Sequence, residues 1–231
     1  MNKKIVLALK NVSYRYPDAE KDEYVLKNIN YEFEKGQTYA IKGKSGSGKT
    51  TLLSLISGLE KKYEGEISYK DKKLSKMNLD DYRSQNVGIV FQSYNLLPHL
   101  TALENIILSM DISKVKVDDK KKLAIKLMEQ VGLSKNMVNR RILKLSGGEQ
   151  QRIAIARSLS YNPEIILADE PTGNLDHDTE TEILNIFSDL AHKQNKCVII
   201  VTHSHNVCNL VDQVYELKKE KGKEWYEWKK K

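Results

Sequence analysis

The stretch Gly43-Lys44-Ser45-Gly46-Ser47-Gly48-Lys49-Thr50 constrains this chain more than any other. It fits the pattern G-x-x-x-x-G-K-[ST] and stands between an apolar run, QTYAIK at 37–42, and an apolar helical pattern, TLLSLISGL. A strand, a glycine-rich loop and a helix in that order make a phosphate cradle. The glycines let backbone N–H groups wrap phosphate oxygens, and the helix dipole adds positive potential. In such a loop Lys49 neutralises the outer phosphates of a nucleotide, and the Thr50 hydroxyl can ligate magnesium.

Three further apolar runs have strand length: VGIVF at 87–91, EIILAD at 164–169 and CVIIVT at 197–202. Near-continuous apolar strands separated by helical stretches predict a parallel sheet covered on both faces, with its ligand at the carboxyl ends of the strands. Each run ends in polar chemistry: Gln92 after the first, Asp169 and Glu170 at the end of the second, His203 after the third. Asp169 suits the holding of a hydrated magnesium ion, and Glu170 the orienting or polarising of an attacking water. His203 is expected at the γ-phosphate or that water, and Gln92 at the same phosphate or its metal. A rival reading, His203, His205 and Cys208 as metal ligands, has no fourth partner and no familiar spacing. His99, His177 and His192 read as surface residues.

At 231 residues the chain has the length of one large domain. Two cysteines make no disulfide framework, and the start MNKKIVLALKNVSYRY does not read as a secretory leader, so an intracellular chain with reduced thiols is expected. No segment approaches the roughly 18 consecutive apolar residues of a membrane span. The net charge of +7 is spread along the chain, which predicts solvated faces and no nucleic-acid partner. QVYELKK and the aromatic GKEWYEWKKK at the end read as a closing hairpin.

Between Gln92 and Ser146 the pattern becomes helical. TALENIILSM and DDKKKLAIKLMEQVGL carry apolar residues at helical spacing, with Leu123, Leu127 and Val131 on one stripe. The region ends in KLSGGEQQR at 144–152, where Ser146 and Glu149 form a capping-box pattern and Gly147 and Gly148 leave backbone N–H groups unobstructed. From there a helix is expected to run to Asn162-Pro163. This second anion-seeking helix start has no lysine and no strand feeding it. If the helical arm holds it away from its own P-loop, it must complete the P-loop of another copy.

With these parts the chain resembles the ATP-binding cassette, the nucleotide-binding subunit of ABC transporters, over nearly its whole length. Leu145 to Gln150 matches the signature, Gly43 to Thr50 Walker A, and Ile165 to Glu170 Walker B; Gln92, Asp176 and His203 stand at the Q-, D- and H-loop positions. The resemblance implies an α/β P-loop NTPase with a mostly parallel core sheet, an antiparallel β subdomain and an inserted helical (signature) subdomain. One ABC ATPase domain would span 1–231, with the core and β subdomain in 1–92 and 160–231 and the helical subdomain in 93–159. It further implies a head-to-tail homodimer sandwiching two ATP molecules with Mg2+. Glu170 would be the catalytic base, with His203 also in the catalytic set. Tyr16 in NVSYRYP would stack on adenine, with Tyr14 as second choice. Nucleotide contacts would come from Gly43 through Thr50, Thr51, Gln92, Ser146, Gly147, Gly148, Glu149 and Asp176, and metal contacts from Thr50, Gln92 and Asp169.

FQSYNLLPHLTALENI and LSGGEQQRIAIARSLSYNPEIILADEPTGNLD are similar to the group that contains the macrolide exporter MacB, the lipoprotein-releasing LolD and the ATPases of antimicrobial-peptide and bacteriocin export. That likeness implies a bacterial exporter subunit at the cytoplasmic face of the membrane, driving a separate permease for peptide, lipoprotein or drug. The lysine-rich composition leans toward peptide export. Lys44 replaces a common proline and Glu149 a usual glutamine. The alternatives are a cassette driving cell-envelope remodelling or antimicrobial-peptide resistance, and a nucleic-acid-associated ATPase. The last usually has a long coiled-coil insertion or tandem cassettes, which this chain lacks.

Overall fold

The computed structural model describes residues 4–19 and 23–218. Strands β1 (Ile5–Tyr14), β2 (Leu26–Glu34), β4 (Glu64–Tyr69) and β5 (Lys72–Lys73) form an antiparallel sheet of order β2-β1-β4-β5. Strands β3 (Thr38–Lys42), β6 (Val87–Phe91), β7 (Ile165–Asp169), β8 (Cys197–Thr202) and β9 (Gln213–Glu216) form a second sheet of order β6-β7-β8-β3-β9, with every pairing parallel. The four apolar runs are β3, β6, β7 and β8.

Of the expected closing hairpin, only the first arm lies among the described residues. Gln213–Glu216 pairs parallel to β3, with Gln213 opposite Tyr39, and is the outermost strand of the parallel sheet among the described residues. Ring packing holds it there: the Tyr215 ring stacks on that of Tyr31 at 4.2 Å and meets Phe33 edge-on at 5.5 Å. The aromatic segment 225–228 lies outside the described residues.

Both faces of the parallel sheet are buried, which is why its strands read as unbroken apolar runs. Tyr39, Ile41, Leu167, Ile199 and Val201 share one apolar cluster with α1 (Lys49–Ile56), α2 (Leu79–Asn86) and the antiparallel sheet. Ala40, Ile166, Ala168, Val198 and Ile200 point the other way, into a cluster with α5 (Gly147–Ser158) and α6 (His177–His192). The same cluster continues into α3 (Ala102–Ile112) and α4 (Lys120–Gln130) through Ile106, Met110, Ala124, Met128 and Val131. Leu127 and Val131 of the predicted stripe are buried, and Leu123 packs against them partly exposed.

α3 opens with a capping box between Thr101 and Glu104. α5 ends at Ser158, short of the expected stop at Asn162-Pro163, because the chain turns through Leu159–Tyr161 and Asn162 adopts a left-handed φ of 54°. A short α7 (His205–Leu210) follows β8. Among the described residues no helix is long and apolar enough to cross a membrane.

Candidate nucleotide site

Strand order sets up the site. β6, β7, β8 and β3 lie side by side, with Phe91 opposite Asp169, Asp169 opposite Val201, and Thr202 opposite Lys42. Gln92, Glu170, His203 and the loop from Gly43 therefore leave the sheet at one level.

In that loop Gly46 and Gly48 take φ of 74° and 91°, and a Cβ on Gly48 would meet Leu26 at 2.9 Å and the carbonyl of Val25 at 3.1 Å. Lys49 Nζ donates to the carbonyls of Gly43 (2.8 Å) and Lys44 (3.2 Å) and lies 3.9 Å from Glu170 Oε1. The Ser47 hydroxyl is buried with no hydrogen-bond partner among the described residues. A cation and the start of a helix thus meet in one glycine-rich loop, a combination that suits phosphate.

Beside it, Thr50 Oγ1 donates to Asp169 Oδ2 at 3.2 Å. Burial pushes the Asp169 carboxyl up, and the charge of Glu170 adds to that; the Thr50 hydrogen bond and Lys49 oppose it. Hydroxyl and carboxylate together offer the hard oxygen ligands that magnesium takes.

Glu170 has a left-handed backbone, φ 47°, with its N–H bonded to the carbonyl of Val201 at 2.9 Å. For a non-glycine residue that conformation costs about 1–2 kcal/mol, and here it turns the side chain off the strand axis. Its carboxylate accepts from His203 Nδ1 at 2.9 Å and from the His203 backbone N–H at 3.3 Å. An ionised Glu170 places the ring proton on Nδ1 and leaves Nε2 free.

Other sequence-predicted residues lie differently. The amide of Gln92 donates to Asn174 Oδ1 at 3.4 Å, and no hydrogen bond joins it to Thr50 or Asp169. Tyr16 is 47% exposed, its hydroxyl 3.0 Å from Thr51 Oγ1, whereas Tyr14 is buried and donates to Glu60. Of the two rings, Tyr16 is the exposed one. Asp176 caps α6, accepting from the Thr179 N–H and hydroxyl, and these bonds hold its carboxyl below the usual range. His203, His205 and Cys208 form no metal cluster: His203 is bound to Glu170, and His205 Nδ1 sits 3.3 Å from Lys42 Nζ. Of the histidines read as surface residues, His192 is exposed yet bonded to Asp212 and Ser188.

At the start of α5 the capping box closes in both directions. Ser146 Oγ accepts from the Glu149 N–H at 3.2 Å, and Glu149 Oε2 accepts from the Ser146 N–H at 2.7 Å. Glu149 therefore turns back onto its own helix. The two glycines have a second reason beyond open N–H groups. A Cβ on Gly148 would stand 2.6 Å from Thr179 Cγ2, and one on Gly147 would stand 2.9 Å from the Tyr94 hydroxyl. Arg157, farther along α5, donates to the carbonyls of Tyr94 and Asn95 just after Gln92. Tyr94 and Arg157 lie within stretches quoted above but have no role there, and Thr179 lies outside them; only the packing reveals all three. No hydrogen bond or ion pair joins Ser146–Gly148 to Gly43–Thr50 among the described residues.

The model of the family described as ABC transporter matches residues 26–173, more than half of the chain. The chain belongs to the ABC transporter ATP-binding family. It is an ATP-binding cassette and an ATPase. Among its relatives are the ABC transporter ATP-binding protein YclH of Bacillus subtilis, 45% identical over 90% of this chain and 91% of that one. Another is the lipoprotein-releasing system ATP-binding protein LolD of Rickettsia felis, 43% identical over 92% and 95%. The dimeric structure of MJ0796, a cassette of Methanocaldococcus jannaschii, superposes with a TM-score of 0.83 at 38% identity over 92% of this chain and 94% of that one. A second dimeric structure of MJ0796, a post-hydrolysis state bound to ADP and Pi, matches equally well at 37% identity over 93% and 97%.

Proposed function

We propose that this cassette is the ATPase subunit of an exporter, working as a homodimer on a separate integral-membrane permease at the cytoplasmic face of the membrane. The observation that carries the reading is the split site: Lys49, Thr50, Asp169, Glu170 and His203 gather at one sheet edge, while Ser146–Gly148 present a second anion-seeking helix start with no bond to them. Two copies placed head to tail would close two sites, each with the P-loop of one and the signature of the other. The dimeric MJ0796 cassettes support that arrangement.

In each site the N–H groups of Gly43 to Thr51 hold the phosphates, Lys49 leaves the carbonyls of Gly43 and Lys44 for the outer phosphates, and Tyr16 stacks on adenine. Thr50 and Asp169 would hold Mg2+, joined by Gln92 once it leaves Asn174. When bound, the ion would supply charge neutralisation on the phosphates. Glu170 takes a proton from the attacking water, whose oxygen bonds to the γ-phosphorus as the bond to the bridging oxygen breaks, giving ADP and phosphate. His203 holds Glu170 through Nδ1–H, and its Nε2 accepts from the attacking water. The partner's Ser146, Gly147 and Gly148 close on the same phosphate, with Asp176 at the dimer seam. Residues 93–159 act as the arm that carries the signature and meets the permease.

The likeness to LolD, a lipoprotein-releasing system ATP-binding protein, supports lipoprotein among the candidate cargoes, beside peptide and drug. The test is affinity purification of the Glu170→Gln protein with ATP from solubilised membranes. An integral-membrane permease recovered in stoichiometric amount supports the reading; nucleic acid recovered without such a partner overturns it.

A further inference from the structure

Behind the pair of Glu170 and His203 lies a third carboxylate to which none of the motifs assigns a role. Glu180, in the first turns of α6, has a side chain only 14% exposed. Its Oε1 accepts from Thr172 Oγ1 at 3.2 Å and Ser204 Oγ at 3.3 Å, and its Oε2 accepts from Asn206 Nδ2 at 3.0 Å. The exposed His177 ring approaches Oε2 at 3.7 Å, one turn away on the same helix. Thr172 is two residues past Glu170, and Ser204 immediately follows His203. One buried carboxylate thus binds the segment that carries the base and the segment that carries its histidine.

A carboxylate is the group that can do this. Its two oxygens carry about four acceptor sites and can satisfy three donors at once, whereas a carboxamide has one oxygen and would point its NH2 at that of Asn206. The donors are neutral, so the charge is held by directed hydrogen bonds rather than by a counter-ion, and such bonds fix angles as well as distances. The position near the N-terminus of α6 also favours a negative charge through the helix dipole, but that contribution needs none of the three donors.

We propose that Glu180 is a positioning residue for hydrolysis, which sets the distance between Glu170 and His203 by tying Thr172 to Ser204 and Asn206. The inference rests on the roles given above to Glu170 and His203. A displacement of about 1 Å in a catalytic group lowers rates by up to 100-fold without loss of substrate binding.

The test measures kcat and KM for ATP, with single-turnover rates at high protein concentration, for Glu180→Ala in the wild-type and His203→Ala backgrounds. The expected result is a roughly tenfold loss of kcat with KM within about twofold in the wild-type background, and less than about twofold further loss once His203 is gone, since coupled residues are not additive. The swap Glu180→Gln with Asn206→Asp, which exchanges donor and acceptor, should recover most of the lost kcat and serves also if Glu180→Ala does not fold. An equal loss in both backgrounds, a rise in KM with kcat intact, or no recovery in the swap overturns the inference while leaving the roles of Glu170 and His203 standing. Wild-type turnover in His203→Ala alone would instead remove the role of His203, and the inference with it.

Discussion

His203 grips Glu170 twice, through Nδ1 at 2.9 Å to one carboxylate oxygen and through its own backbone N–H at 3.3 Å to the other. A carboxylate held on both oxygens, 3.9 Å from Lys49, cannot swing away from the edge where a phosphate would lie. Replacing it by the near-isosteric amide keeps the shape and removes the base. Glu170→Gln should therefore lower ATP turnover by at least about 100-fold, the usual scale for a general base, while ATP binding persists. Turnover assays with size-exclusion chromatography check both parts, the second as an ATP-stabilised dimer. Hydrolysis at the wild-type rate would remove Glu170 from the role.

If each site takes its P-loop from one copy and its signature from the other, defects in the two halves must complement in only one way. Lys49→Ala lacks the phosphate cation and Ser146→Arg blocks the helix start, so each alone should be nearly inactive. Mixed in equal amounts, about half of the dimers pair unlike chains, and each of those holds one intact site, restoring about a quarter of the wild-type sites. Full activity of either variant alone, or none on mixing, would contradict a shared site.

The parts of the site that follow strands were legible in the sequence. Gly43–Thr50, Asp169, Glu170 and His203 sit just beyond or at the ends of β3, β7 and β8, and a fully buried strand that stops in polar residues marks that edge by itself. Glu149 reads two ways in the sequence, because capping box and anion site share one residue pattern, and in the structure its carboxylate closes the cap. What the sequence hid is contact between distant segments. Nothing in TETEILN marks Glu180 as the partner of Ser204, and nothing in QVYELKK says that its strand pairs parallel with β3. Alternation is the same in parallel and antiparallel strands, and only the register against β3 shows the pairing.

The start of α5 rests on the first turn of α6 so closely that a methyl group on Gly148 would stand 2.6 Å from Thr179 Cγ2. Gly148→Ala should destabilise the fold by about 1–3 kcal/mol, the usual cost of overpacking, and displace the helix start that presents Ser146. Thr179→Ser keeps the hydroxyl that bonds Asp176 and deletes the obstructing methyl. The double variant should recover most of the lost stability in urea unfolding. If Gly148→Ala and the double variant unfold at the same midpoint, the close approach is not the reason for glycine.

At the far end of the parallel sheet from the site, Glu164 joins the two sheets. Its carboxylate accepts from Lys35 Nζ, Lys70 Nζ and the Tyr69 hydroxyl, each at 2.7 Å. Burial opposes its charge, but the three donors outweigh burial and bring the carboxyl from 4.5 down to about 2. A carboxyl depressed on folding adds stability that is fully present above its unfolded value and is lost as pH falls toward the folded one. The window is therefore pH 4.5 to about 2. With 30% of the side chain exposed, solvent screening reduces the effect, and Glu164→Gln should cost about 1–2 kcal/mol at pH 7. In urea unfolding the gap between wild type and Glu164→Gln should be unchanged from pH 7 to pH 5 and fall to roughly half or less by pH 3. A gap as large at pH 3 as at pH 7 would mean that the carboxylate's charge does not hold the sheets together.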